Sequence, residues 1–209
     1  MRRQHAFTLI ELLVAVAVVA IVLTIAVPSF FDYLLVQRLK SINAQLVTDF
    51  NFARSEAVTR NTISRVVFDD NATLTCYTIF TNPVNPSALQ VPVSQRCDCK
   101  LGPGLACSTS NANAALLSTE IRTVQVLRSS GVTVLAPGNA TTGTGSPAVG
   151  FNNVTGGLLG IPNDQGAIAV NAFTAETAIS STRLLRTVLG RAGRPTVCSV
   201  GSSLGASAC

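Results

Sequence analysis

From Phe7 to Val27 the chain is apolar for 21 residues, interrupted only by Thr8, Glu11 and Thr24. Coiled as an α-helix at ~1.5 Å per residue, the run is about 31 Å long, the thickness of a bilayer core. No other feature constrains the fold as strongly. Arg2 and Arg3 precede the run, and the excess of positive charge on that side holds the N-terminus in the cytoplasm and sends the rest outward. An ordinary cleaved signal has a shorter apolar stretch ending in small residues, whereas Val27-Pro28-Ser29-Phe30 follows here. A plain anchor fits the length but leaves Glu11 unexplained. A carboxylate in hydrocarbon is costly, so it needs a partner and a role.

Phe7-Thr8-Leu9-Ile10-Glu11-Leu12-Leu13-Val14 resembles the processing site of type IV prepilins and type II secretion pseudopilins. The resemblance implies removal of residues 1–6 by a prepilin peptidase, which cuts between Ala6 and Phe7, and N-methylation of the new Phe7 amine. The family usually has Gly before the cut, and Ala6 departs from that pattern. It further implies that Glu11 serves subunit assembly, pairing with the Phe7 amine of a neighbouring subunit. Two opposite charges that are each costly in a low-dielectric bundle are tolerable together.

Pro28 follows the span and disfavours regular helix at the residue before it; the family has a helix-kinking proline at this distance. Beyond it, Leu35, Leu39, Ile42, Leu46, Phe50, Ala53 and Ala57 recur at helical spacing, one face of an amphipathic helix. Gln37, Arg38, Lys40, Asn43, Gln45 and Asp49 lie between them. The pattern predicts one helix over 7–61, transmembrane over 7–27, with Asn61 as its stop.

Residues 62–209 change character. Arg65–Asp70 and Leu74–Phe80 read as strands split by an Asp69-Asp70-Asn71 turn. Residues 83–104 read as loop. Ile121–Leu127 and Val132–Leu135 read as a hairpin joined by Arg128-Ser129-Ser130-Gly131. Pro137 to Gly160 reads as loop around a short strand, Ala148–Phe151, and Gly166–Phe173 and Thr182–Leu189 are further strands. A long helix followed by antiparallel sheet is an α+β arrangement, here type IV pilin-like, with the β-rich head placed in the periplasm. At the helix end, Ala53-Arg54-Ser55-Glu56-Ala57-Val58-Thr59-Arg60-Asn61 resembles the GspH/FimT group of minor pilins and pseudopilins.

Six cysteines, Cys76, Cys97, Cys99, Cys107, Cys198 and Cys209, suit disulfides in an oxidising compartment. Fifteen full pairings are possible. Cys198 with Cys209 would close one loop, and Cys107 with Cys97 or Cys99 another. A metal site at Cys97-Asp98-Cys99 with Cys107 is the weaker alternative, because the spacing matches no standard zinc motif. The sole histidine, His5, leaves with the leader. Asp69 and Asp70 do not converge as an acid–base pair, since adjacent strand residues face opposite sides. Neither a phosphate-binding glycine loop nor a nucleophile elbow occurs, so no cofactor and no enzymatic activity are expected.

The net charge is +5 and only 12% of residues are charged. After Glu176 no acid follows, while Arg183, Arg186, Arg191 and Arg194 do. Guanidinium groups on a glycine-rich turn match phosphates. In FimT-like minor pilins a Gly-Arg-x-Arg motif is linked to DNA capture; Gly193-Arg194-Pro195-Thr196 lacks its second arginine. Arg186, Arg191 and Arg194 are the candidate nucleic-acid residues, set against the reading of a solvated loop. The sequence therefore reads as a minor pilin or pseudopilin. It is held in the bacterial inner membrane until it joins other pilins in a type IV pilus or type II secretion filament. DNA uptake is the alternative function.

Overall fold

The computed structural model describes residues 8–81, 97–107, 118–137, 147–160, 172–201 and 204–209. One helix, α1, covers Leu9–Thr59. Among the described residues nine strands follow in chain order: β1 Ser64–Asp70, β2 Leu74–Thr81, β3 Thr119–Leu127, β4 Thr133–Leu135, β5 Ala148–Phe151, β6 Leu158–Gly160, β7 Ala172–Ser180, β8 Arg183–Gly190 and β9 Pro195–Gly201. They form two antiparallel sheets, ordered β3-β2-β1-β5-β6 and β4-β7-β8-β9. This is an α+β, type IV pilin-like architecture.

The helix continues through Pro28, where the sequence reading has regular helix interrupted at Val27. Proline removes a single N–H bond, and established turns on both sides propagate cheaply across one missing bond. The C-terminal end is a Schellman cap. Asn61 takes the left-handed conformation at φ 52°, the Thr62 amide donates to the Ala57 carbonyl at 3.1 Å, and the Asn61 amide donates to Val58 at 3.3 Å. Asparagine tolerates that conformation better than any other residue except glycine.

The chain divides into two units, Met1–Gln37 and Arg38–Cys209. In the second, Leu46, Phe50, Ala53 and Ala57 from α1 pack with Val66, Phe68, Tyr77, Val149 and Phe151 of the first sheet and Phe173, Ala175 and Leu189 of the second. Phe50 sits at the centre, with its ring centroid 6.2 Å from Phe68 and 6.4 Å from both Phe151 and Phe173. The helix thus closes one core shared by both sheets. The first sheet is covered on its other face as well. There Val67, Phe80 and Ala148 meet Cys97, Ala106 and Cys107. Alternation along β1 sends Val66 and Phe68 to one core and Val67 to the other.

Two polar residues on α1 are buried within this apolar packing, and each engages a different sheet. Asn43 accepts through Oδ1 from Thr187 at 3.0 Å and Thr177 at 3.3 Å. Asp49 accepts through Oδ2 from the Tyr77 hydroxyl at 2.6 Å, while its Oδ1 lies 2.9 Å from Arg122. Buried polar groups need such partners, so Asn43 and Asp49 select one register of the helix on the two sheets.

The expected hairpin of Ile121–Leu127 with Val132–Leu135 does not form. β3 pairs with β2, and β4 pairs with β7. Between them a 3₁₀ turn at Arg128–Ser130, ended by Gly131 at φ 77°, carries the chain from one sheet to the other. Of the strand expected over 166–173, residues 172–173 belong to β7, and residues 166–171 lie outside the described residues. β6 and β9 were not foreseen; β9 begins at Pro195, where its missing N–H is tolerated at a strand's first residue.

Candidate functional site

Ala6 and Phe7, the proposed cleavage and methylation site, lie outside the described residues. Glu11 is in the first turn of α1, and its amide is capped by the Thr8 hydroxyl at 3.3 Å. Threonine is a natural N-cap, supplying an acceptor where the helix has none. Around Glu11 the surface is apolar and uncovered: Leu9 is 77% exposed, Ile10 66%, Leu12 61% and Leu13 57%. Exposure of this kind continues through Phe30, Phe31 and Tyr33. The segment is long and apolar enough to cross a membrane, and none of it is buried within the chain. An apolar face of this size marks a surface meant for lipid or for another protein.

The cysteines form three disulfides: Cys76–Cys99, Cys97–Cys107 and Cys198–Cys209. The first ties residues 97–107 to β2 over the outer face of the first sheet, and the second closes that loop on itself. Gln125 reinforces the loop by donating to the Cys99 and Lys100 carbonyls at 2.8 and 3.1 Å. Glu120 accepts from the amides of Gly104 and Ala106 at 2.8 and 3.1 Å. No thiolate remains at Cys97-Asp98-Cys99 to hold a cation. The third disulfide ties the C-terminus to β9. There the Ser199 amide donates to Ser207 at 2.8 Å, and the Cys209 amide donates to Ser199 at 3.1 Å. An edge strand otherwise offers its backbone to other chains, and this return of the tail covers part of it.

The candidate arginines separate. Arg186, in β8, directs Nε and Nη2 to Glu176 Oε1 at 2.9 and 2.7 Å. The two residues face each other across the β7–β8 pairing, so Arg186 already has a carboxylate partner. Arg191 and Arg194 are exposed in the turn between β8 and β9. The glycine before Arg194 has a packing role. Gly193 is at φ 70°, and a Cβ there would lie 2.3 Å from the Gly156 carbonyl oxygen. That oxygen also accepts from Arg54 Nε at 3.1 Å. Arg54 of the Ala-Arg-Ser-Glu-Ala segment therefore anchors the helix end where the two sheets meet, a function that spacing alone does not reveal.

The acids first considered as a pair turn outward to different cations. Asp69 accepts from Lys100 at 2.6 Å, and Asp70 pairs with Arg128. The bond to Asp69 raises the Lys100 pKa. Buried Arg65 donates to the Ile63 carbonyl at 3.2 Å, and desolvation lowers its pKa to about 10. Asp49 titrates above the usual carboxyl range, because burial outweighs the help of Tyr77 and Arg122. Burial, followed by the Asp49 charge, raises Tyr77. None of these groups converges on a cleft with a nucleophile; they join elements of the fold.

Residues 1–27 match the family model of the prokaryotic N-terminal methylation motif. The match supports a type IV pilin-like prepilin, processed by prepilin peptidase and assembled with other pilins. It suggests a structural subunit rather than an enzyme, and an apolar helix carrying this motif fits membrane anchoring. No curated protein and no solved structure matches the chain.

Proposed function

We propose that the chain is a minor pilin or pseudopilin of the GspH/FimT group, acting in initiation and assembly of a type IV pilus or type II secretion filament. Residues 1–6 are the leader, 7–27 the membrane span, and 62–209 a periplasmic head. The observation that carries this reading is the exposed apolar surface from Leu9 to Phe31 with one carboxylate, Glu11, near its start, in a segment whose N-terminal part matches the methylation motif. In the bilayer, lipid covers that surface. Leaving lipid for a filament exchanges one apolar contact for another, so helix packing and the charge of Glu11 must drive association. A neighbouring Phe7 amine, freed by cleavage, neutralises Glu11 and sets the register between subunits.

Mass spectrometry of the protein from cells tests the processing step: the chain should begin at N-methylated Phe7. Retention of residues 1–6 would remove the source of the amine and defeat the proposal. Glu11→Ala should be processed yet fail to enter filaments. Capture of DNA by Arg191 and Arg194 is the second reading, favoured by their shared exposed turn and weakened by the Arg186–Glu176 pair. A mobility shift lost in Arg191→Ala with Arg194→Ala would support it; an unaltered shift would reject this site.

A further inference from the structure

The chain holds three Asn-x-Thr tripeptides, Asn71-Ala72-Thr73, Asn139-Ala140-Thr141 and Asn153-Val154-Thr155, none with proline in the middle. Such a tripeptide is the acceptor pattern for N-linked glycans in exported proteins. Bacterial oligosaccharyltransferases also grip a carboxylate two residues before the asparagine, a charge-assisted handle. Only the first tripeptide supplies one: Asp69 stands at that place, whereas Pro137 and Phe151 stand at the others.

The fold favours the same asparagine. Asn71, Ala72 and Thr73 are exposed in the turn between β1 and β2. Asn71 accepts through Oδ1 from the Thr73 amide at 2.8 Å, the Thr73 hydroxyl at 2.9 Å and the Leu74 amide at 2.9 Å. Its Nδ2, the atom a sugar would join, has no acceptor among the described residues. Asn153 differs. Its Nδ2 donates to Oδ1 of Asn61, the residue that stops α1, at 2.9 Å. The Thr155 hydroxyl accepts from the Gly157 amide at 3.1 Å, so that tripeptide is already used by the fold.

We propose that Asn71 is a site of N-linked glycosylation, with a glycan carried on a polyprenyl diphosphate as the donor. The proposal rests on the periplasmic placement of the head. In the transfer, Asn71 Nδ2 bonds to C1 of the first sugar while the bond from C1 to the diphosphate oxygen breaks. Polyprenyl diphosphate leaves, and one Nδ2 proton passes to a base of the transferase. The hydrogen bonds to Oδ1 stabilise the negative charge that develops on the amide as that proton departs.

Asp69 sets the timing. In the folded head it accepts from Lys100 at 2.6 Å, and Lys100 follows Cys99, which is tied to β2 through Cys76. A transferase competes with that bond for the carboxylate, so the acceptor is open to it before loop 97–107 closes. A glycan is bulky and hydrated, so once attached it keeps the β1–β2 turn out of subunit contacts.

The test is peptide mass spectrometry of the full-length protein from the cells that make it. The peptide containing Asn71 should carry a glycan mass, and those containing Asn139 and Asn153 should not. Asn71→Gln and Asp69→Asn should each lose the added mass, and Asp69→Glu should retain it. Lys100→Ala breaks the same ion pair but should keep or raise occupancy; a loss shared by Asp69→Asn and Lys100→Ala would make Asp69 a structural residue and overturn its role as the handle. Glycosylation of Asn153 as complete as that of Asn71 would overturn selection by the acid. An unmodified Asn71 in chains whose six cysteines are all oxidised would overturn the proposal and leave the periplasmic reading standing. Chains with free thiols never reached the oxidising compartment, and in that case the periplasmic reading fails together with this proposal.

Discussion

Asp49→Ala isolates the contribution of a buried carboxylate to a helix-on-sheet junction. Asp49 and Tyr77 are each 1% exposed, and the bond between them is 2.6 Å. Truncation leaves the Tyr77 hydroxyl buried without an acceptor, at a cost of about 1–3 kcal/mol. Arg122 adds little, because its side chain is 45% exposed and water replaces the lost ion pair. Removing a desolvated charge offsets part of the penalty. A net loss of about 1–2 kcal/mol remains, which at ~2–4 °C per kcal/mol for a domain of this size lowers Tm by about 2–8 °C. Thermal unfolding of residues 38–209 at neutral pH measures it. Combining Asp49→Ala with Tyr77→Phe should cost less than the sum of the two changes, since both remove the same bond.

The same residue imposes a pH dependence of definite sign. Burial raises the folded-state pKa of Asp49 above its usual 3.8. Between 3.8 and the raised value the folded chain keeps a proton that the unfolded chain has lost. Its stabilising effect is complete below that window and is lost as pH rises through it. Asp49→Asn still offers Tyr77 an acceptor and cannot titrate. The wild-type Tm should therefore fall relative to that of Asp49→Asn as pH is raised from 3.8 across the window. Identical pH profiles for the two proteins, or an Asp49→Ala head that melts at or above the wild-type temperature, would refute the reasoning.

Two glycines with positive φ should respond differently to alanine. Gly193→Ala drives a Cβ to 2.3 Å from the Gly156 oxygen, a backbone clash, whereas Gly104 has nothing within 4 Å. Gly104→Ala should cost only the left-handed conformation, about 1–2 kcal/mol, and Gly193→Ala should abolish cooperative unfolding of the head; equal melting curves would contradict the Gly156–Gly193 packing. The disulfides should reduce in a fixed order under increasing dithiol, read by alkylation and mass spectrometry. Cys209 is exposed, whereas Cys76 and Cys99 are 0% and 1% exposed, so Cys198–Cys209 should open first; earlier alkylation of Cys76 would show that the loop over the first sheet is not a stable cover.

Local order was legible in the sequence wherever neighbours along the chain decide it. Leu39, Leu46, Phe50, Ala53 and Ala57 are at helical spacing and are buried. Asp69-Asp70-Asn71 sits where β1 turns into β2, and the Asn71 side chain accepts from the Thr73 and Leu74 amides at 2.8 and 2.9 Å. The failures share a cause. β3 and β4 look like a hairpin because a glycine turn joins two apolar runs, but their partners, β2 and β7, are set by contacts distant in sequence. β9 starts with proline and carries serine and glycine, a composition with little strand signal until β8 supplies its ladder.

Asn43 and Asp49 show the same limit within the functional helix. Helical spacing places both among polar residues beside the apolar stripe, and only the sheets reveal that they are buried. Asn43 meets threonines on β7 and β8, while Asp49 meets Tyr77 on β2 and Arg122 on β3. An apolar stripe alone tolerates sliding, since one leucine substitutes for another in a neighbouring hollow. A buried amide and a buried carboxylate do not, because each shift leaves donors and acceptors unpaired. Anchoring α1 to both sheets through Asn43 and Asp49 holds Lys40 and Ala44, on the same helix, in a fixed position relative to Val197 and Leu204. The polar residues that periodicity treats as exceptions are therefore the ones that fix how the helix seats on both sheets.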